Sequence, residues 1–383
     1  MSDPDTERLV ALLERLVAFD TQNPPGQEAA AAAMLVEVLR GCGMDAEVRP
    51  VAPGRANAVA MLRNGPGPVV AFNSHIDTVP VGTGWASDPL RLVERGENLF
   101  GRGACDAKGP VAAMAEACRL LADSKHAWSG TLVVAFVADE EITSLGAKAV
   151  AAEFPPFDAV IVGEPTDNEV LTAHRGVVRP LIRLHGRTAH TSRPELGVNA
   201  ITAAARLIAE IQAYDRELAR RTHPLVGRAC VTVTRIEGGF ADNIVPDRCD
   251  IVLDRRLLPD EAPEAALAEL RALLERARAD SDVAAELVTV RVVGGGCETP
   301  ATAPVVRAAL AVAGRHGHNP TAAGFNAGCD LTHFRRTGSP GIILGPGSLD
   351  LAHKPDEYVP KSELVEVSAM YRDIALAVFG GVG

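Results

Sequence analysis

What most constrains the fold of this chain is a set of four apolar runs of strand length, each followed by an acid or a histidine. Residues 68–74 (PVVAFNS) lead into His75-Ile-Asp77, and 131–138 (TLVVAFVA) into Asp139-Glu140-Glu141. Residues 158–162 (DAVIV) lead into Gly163-Glu164-Pro165, and 341–345 (GIILG) into a turn that brings His353. Helical patterns lie between and around them. Over 108–124, Val111, Met114, Cys118 and Leu121 are spaced 3, 4 and 3, an apolar stripe at helical period, and Pro110 is tolerated in the first turn. Further helices are predicted over 5–20 and 28–42, with a strand at 57–62. Strands alternating with helices argue for an α/β fold with a mixed, mostly parallel sheet flanked by helices.

The middle of the chain has another rhythm. A strand (178–186), a helix (197–220), strands at 228–237 and 247–256, a helix (261–279) and a strand (286–293) follow in the order βαββαβ, which suggests a two-layer ferredoxin-like unit. The α/β style then resumes with a helix (302–316), the strand at 341–345 and a helix (361–378). At 383 residues the chain exceeds what one compact core usually holds. The expectation is a smaller domain, 177–293, inserted between two parts of a larger one, 1–176 and 294–383.

Composition narrows the function. A net charge of −11 offers no basic face for nucleic acid. An apolar run such as LVVAFVA is far too short to span a bilayer, and MSDPDTERLVALLERL has neither the cationic nor the apolar region of a signal peptide. The seven cysteines are odd in number, scattered and without a CxxC, so free thiols in a reducing cytoplasm are expected and a thiolate zinc site is not.

In open α/β sheets, ligands bind at the carboxyl ends of the strands. If the four strands are parallel, His75, the Glu140-Glu141 pair, Glu164 and His353 gather at one rim. Asp106, in the Gly-rich turn GRGACDAKG before a helix, joins them. Two histidines with several carboxylates suit Zn²⁺ or a similar first-row ion. Three carboxylates and two imidazoles are too many ligands for one catalytic zinc, but suit two ions sharing a carboxylate. Of two adjacent glutamates, one can bind metal while the other takes a proton from water. Asp77 has a different use: a carboxylate on the far nitrogen of His75 would fix its tautomer.

SHIDTVP, GRGACDAKG, ADEE, GEPT and AHKPDEY, in this order, resemble the co-catalytic zinc aminoacylase and carboxypeptidase family. That family includes acetylornithine deacetylase, succinyl-diaminopimelate desuccinylase and glutamate carboxypeptidase. The resemblance covers essentially the whole chain. It implies a zinc-peptidase-like fold with two Zn²⁺ per subunit, Co²⁺ being a substitute. His75, Asp106 and Glu164 would hold one ion, and Asp106, Glu141 and His353 the other. Glu140 matches the general base and Asp77 the residue that orients His75. In the inserted domain, His190 of GRTAHTSRP matches a histidine that reaches the partner subunit's site in a homodimer, making that domain a lid and dimerisation unit. Asn243 of ADNIVPD and Arg256 of DRRLLP match contacts to a substrate carboxylate, for which the planar guanidinium is suited. Asn326 and Gly328 of FNAGCD are candidate pocket residues. Ala107 departs from the Met that often follows the bridging aspartate, a change of packing that touches no ligand.

The expected activity is hydrolysis of the amide bond of an N-acyl amino acid, nearest to acetylornithine deacetylase. A desuccinylase, an acyl-lysine deacylase and a glutamate carboxypeptidase are the alternatives of the same chemistry. A non-catalytic ligand-binding relative is the alternative of another class, and the presence of Glu140 with a complete ligand set argues against it.

Overall fold

The computed structural model describes residues 3–279 and 283–380. The chain divides into two compact units. Met1–Ala173, Glu298–Phe325 and Cys329–Gly383 form the first, and His174–Cys297 with Asn326–Gly328 the second.

The first unit is organised by a sheet whose neighbouring strands run Asp45–Ala52, Arg55–Asn64, Gly130–Val137, Val69–His75, Ala159–Val162, Gly341–Ile343 and Leu171–His174. The four apolar runs of the sequence are its centre and are parallel to one another. Their side chains are buried almost throughout, because helices cover both faces of a parallel sheet. The strands on either side are antiparallel, which makes the sheet mixed, as expected. Asp45–Ala52 was not legible in the sequence. It is an edge strand with Ala46 its one buried residue and Pro50 near its end, so no alternating apolar pattern marks it.

Three helices pack on one another in the covering layers. Thr6–Val17 is capped by the Asp5 carboxylate, which accepts from the amides of Glu7 and Arg8 at 3.1 and 3.2 Å, satisfying donors the helix cannot. It buries Leu9, Leu12, Leu13, Leu16 and Val17, each full leucine burial contributing about 1.5–3 kcal/mol. It packs on Lys108–Asp123, which packs in turn on Lys361–Val378. Gly109 is required at the start of Lys108–Asp123, because a Cβ there would lie 2.3 Å from the carbonyl oxygen of Ala104. A small antiparallel sheet of Val93–Arg95, Asn98–Phe100 and Tyr358–Pro360 ties the segment before Asp106 to the segment after His353.

The second unit has a four-stranded antiparallel sheet in the order Cys230–Gly238, Arg248–Leu257, Gly176–His185, Ala284–Gly294. The helices Ala200–Leu218 and Pro263–Ala279 complete it. The chain order is βαββαβ, and the strands lie second, third, first, fourth, a ferredoxin-like unit. Cys230–Gly238 is an edge strand. Among the described residues, no helix is long and apolar enough to cross a membrane.

Candidate metal centre and hydrolytic site

Parallel registration brings the strand ends together. His75 stands opposite Val137, and Asn73 opposite Val162, which also pairs with Ile343. The residues that follow these positions therefore emerge at one rim. Asp139 turns the chain with φ 72°, releasing Glu140 and Glu141. Glu164 follows Ala159–Val162, and Gly345 approaches so closely that a Cβ would lie 2.4 Å from the Glu164 carbonyl oxygen. His353 also sits in the left-handed region, at φ 65°.

Asp106 lies at the centre. Its Oδ1 is 3.0 Å from His75 Nε2, and its Oδ2 is 3.3 Å from His353 Nε2. His353 Nε2 is 3.2 Å from Glu141 Oε2. Ligand atoms of His75, Asp106 and Glu141 all lie within 4.8 Å of one another. The other oxygen of Glu141, Oε1, is buried and makes no hydrogen bond, so a donor atom is left for a cation.

The electrostatics fit a site for positive charge. Burial alone would lower His75, but Asp106 and Asp77 push it well up. Asp106 and Glu141 push His353 up to about 10. The imidazoles thus draw protons into a cluster whose carboxylates are otherwise uncompensated. Burial, then the charge of Glu164, pushes Glu140 well above the usual carboxylate range, with His75 opposing. Burial does the same to Glu164, again with His75 opposing and Asp106 reinforcing.

Asp77 meets His75 through both its main chain and its side chain. His75 Nδ1 donates to the main-chain carbonyl of Asp77 at 3.0 Å, while the nearest carboxylate oxygen is 3.6 Å away. The carbonyl fixes the tautomer, because it can only accept. The Asp77 carboxylate, beside the ring, also serves the next segment, accepting from the amides of Glu140 and Glu141 at 3.0 and 3.2 Å.

Of the residues around the centre, Asn23, Arg55 and Glu357 were not singled out by the sequence. Asn23 donates to Asp77 Oδ2 at 2.9 Å and to Asp139 Oδ1 at 3.0 Å. Arg55 pairs with Asp139 at 2.7 Å and forks onto Glu28. Glu357 accepts from the amides of Cys105 and Asp106, both at 2.9 Å, and pairs with Arg102 at 2.6 Å. Asp330 is buried with both carboxylate oxygens making no hydrogen bond, and burial pushes it up to about 7. Cys105, beside Asp106, is buried with its sulfur 3.4 Å from the Ser348 carbonyl, and burial pushes its thiol well up, which suits packing.

The remaining candidates belong to the second unit. The loops bearing His190 and Asn243 are joined by main-chain hydrogen bonds from Thr191 to Asn243 (3.1 Å) and from Val245 to Ala189 (2.8 Å). The exposed His190 ring accepts the Ser192 amide at Nδ1. Arg256 is held by Asp254, Nε to Oδ1 at 2.6 Å, and Asp254 also receives Arg179. Asn326 is exposed, and a Cβ at Gly328 would lie 3.5 Å from the Arg175 carbonyl oxygen. His174 is fully buried, and burial holds it down at about 4, so it is a neutral structural histidine.

The sequence profile of Peptidase family M20/M25/M40 matches residues 71–377. Acetylornithine deacetylase of Vibrio campbellii is 31% identical over 331 residues, covering 85% of each chain. The acetylornithine deacetylase of Myxococcus xanthus is 30% identical over 318 residues, covering 82% of this chain and 80% of the relative. Among solved structures, an aminopeptidase from Bacillus cereus superposes with a TM-score of 0.81 at 24% identity, over 98% of this chain and 99% of that one.

Proposed function

The chain belongs to Peptidase family M20/M25/M40, and from that premise we propose that it is a metal-dependent hydrolase releasing a carboxylic acid and a free amino acid from an N-acyl amino acid, in the manner of acetylornithine deacetylase. The observation that carries this reading is Asp106 with one oxygen on His75 and the other toward His353, the arrangement of a carboxylate shared by two cations.

Two Zn²⁺ ions, or Co²⁺ in their place, would be held by His75, Asp106 and Glu164 and by Asp106, Glu141 and His353, and would supply Lewis-acid stabilisation of charge on the amide oxygen. The remaining steps belong to the chain. Glu140 takes the proton of the attacking water and returns it to the leaving amine. Asp77 fixes the main chain beneath Glu140. Arg256 and Asn243 take the substrate carboxylate and convert remote binding into orientation. His190, from the partner subunit of a homodimer, donates to the carbonyl oxygen as charge develops there. The exposed Ile201, Ile236 and Phe240 beside the edge strand Cys230–Gly238 support a second copy as the partner.

The test is a metal-replete assay over N-acetyl-, N-formyl- and N-succinyl-amino acids, repeated after dialysis against a chelator. Turnover of N-acetyl substrates that disappears on chelation and returns with Zn²⁺ or Co²⁺ is expected. Preference for N-succinyl substrates would shift the assignment to a desuccinylase. Activity that survives complete metal removal would overturn the hydrolytic reading.

A further inference from the structure

Behind the acidic centre lies a buried ion pair that the hydrolytic mechanism does not use. Arg102 and Glu357 are both 1% exposed and 2.6 Å apart. Charges are rarely taken so far from water without a purpose, because desolvation offsets much of their attraction. Here each partner does something further. Glu357 Oε1 accepts two successive amides, those of Cys105 and Asp106, so one carboxylate oxygen holds the main chain of the turn bearing the shared aspartate. Arg102 donates at 3.4 Å to the carbonyl of Lys354, the neighbour of His353, and at 3.4 Å to those of Pro80 and Val81 beyond Asp77. Its guanidinium carbon lies 5.1 Å over the Trp85 ring. The main chain adds one more link, from the Gly101 amide to the Glu357 carbonyl at 3.0 Å.

We infer that Arg102 and Glu357 are positioning residues that set the distance between Asp106 and His353, and so hold the cation site of Asp106, Glu141 and His353 in preference to that of His75, Asp106 and Glu164. The asymmetry is geometric. Among the hydrogen bonds of the pair, none reaches the ring of His75, whose Nδ1 is anchored by the Asp77 carbonyl. His353 has no such anchor of its own. It sits at φ 65°, a sparsely populated region for a residue with a Cβ, which persists where surrounding contacts over-determine it. The Arg102–Lys354 and Glu357–Asp106 hydrogen bonds add to the turn's own main-chain bonds, such as Lys354 to Leu351 at 3.4 Å, to supply those contacts.

This inference rests on the proposed two-cation site, and its test separates the two claims. Zn²⁺ would be titrated calorimetrically into chelator-treated wild type, Glu357→Gln, Arg102→Lys, His353→Ala and His75→Ala, with Co²⁺ absorption as a second readout. Glu357→Gln and Arg102→Lys are expected to weaken one of two binding steps about 10–100-fold, the same step that His353→Ala abolishes, and to leave the other as in wild type. In the assay, kcat should fall with KM little changed. Should Glu357→Gln fail to fold by circular dichroism, Glu357→Asp keeps the charge, withdraws it from the two amides and must give the same selective loss. Equal weakening of both steps, wild-type binding in these variants, or loss of the step that His75→Ala removes would overturn the inference. Wild type that binds no divalent cation would instead overturn the function proposed above.

Discussion

The carboxylate of Asp77 accepts the main-chain amide of Glu140 at 3.0 Å. A residue two positions from His75 therefore anchors the candidate base, on a different strand, while its carbonyl orients the His75 ring. One short loop sets both a ligand and a base.

Asp77→Asn follows from that division. The His75 tautomer should survive, since the main-chain carbonyl is untouched, but the anionic acceptor beneath Glu140 and Glu141 is lost. We expect kcat to fall about 10–100-fold with metal content close to wild type. Loss of His75-dependent cation binding, measured by mass spectrometry of bound metal, would show that the carboxylate acts on the ring after all.

Glu140→Ala removes the proposed proton carrier without touching a ligand. Turnover should drop by about 10²–10⁴-fold while both cations stay bound. Parallel loss of metal and turnover would mean that Glu140 is itself a ligand.

His174 gives a stability prediction with a definite sign. Its folded-state value of about 4 lies below the ordinary value near 6.5, so the unfolded chain binds the proton first as pH falls. Stability is therefore lost between about pH 6.5 and 4, by about 3 kcal/mol in all. His174→Asn keeps an amide donor for the Arg175 carbonyl, which Nδ1 reaches at 3.1 Å, and removes the titration. The gap between wild type and this variant in denaturant unfolding should change by that amount across the interval. A constant gap would refute the assignment.

Phe240 is 73% exposed beside the edge strand Cys230–Gly238, where a second copy is proposed to dock. Phe240→Ser combined with Ile236→Lys should convert a dimer to a monomer in analytical ultracentrifugation and lower kcat, because His190 would then have no partner site to enter. A monomer of undiminished activity would remove His190 from the mechanism.

The sheet and its acidic rim were legible because three of the four central strands are largely apolar runs that end abruptly in His-x-Asp, Asp-Glu-Glu or Gly-Glu-Pro, while the fourth leads through a turn to His353. Such an ending states both the position and the chemistry. Glu357 was not legible. Its partners Asp106 and Arg102 lie 251 and 255 residues away, and with 49 acids and 38 bases in the chain, charge sign does not pick out a pair. Asn23 was hidden for the same reason, its contacts with Asp77 and Asp139 spanning 54 and 116 residues. The second task of the Asp77 carboxylate, holding the amides of Glu140 and Glu141, was hidden because sequence proximity says nothing about which strand end a turn faces.

The small sheet that joins Asn98–Phe100 to Tyr358–Pro360 has a consequence for how this protein is born. Asp106, Glu140, Glu141 and Glu164 leave the ribosome long before His353, Glu357 and the strand that follows them. Until that late stretch arrives, the acidic rim lacks one of its imidazoles, and Arg102 lacks its counter-charge. The first unit thus cannot finish folding in the order in which it is made. The last described strand of that unit, Tyr358–Pro360, acts as a clasp that can close on Asn98–Phe100 only after its own segment has been made.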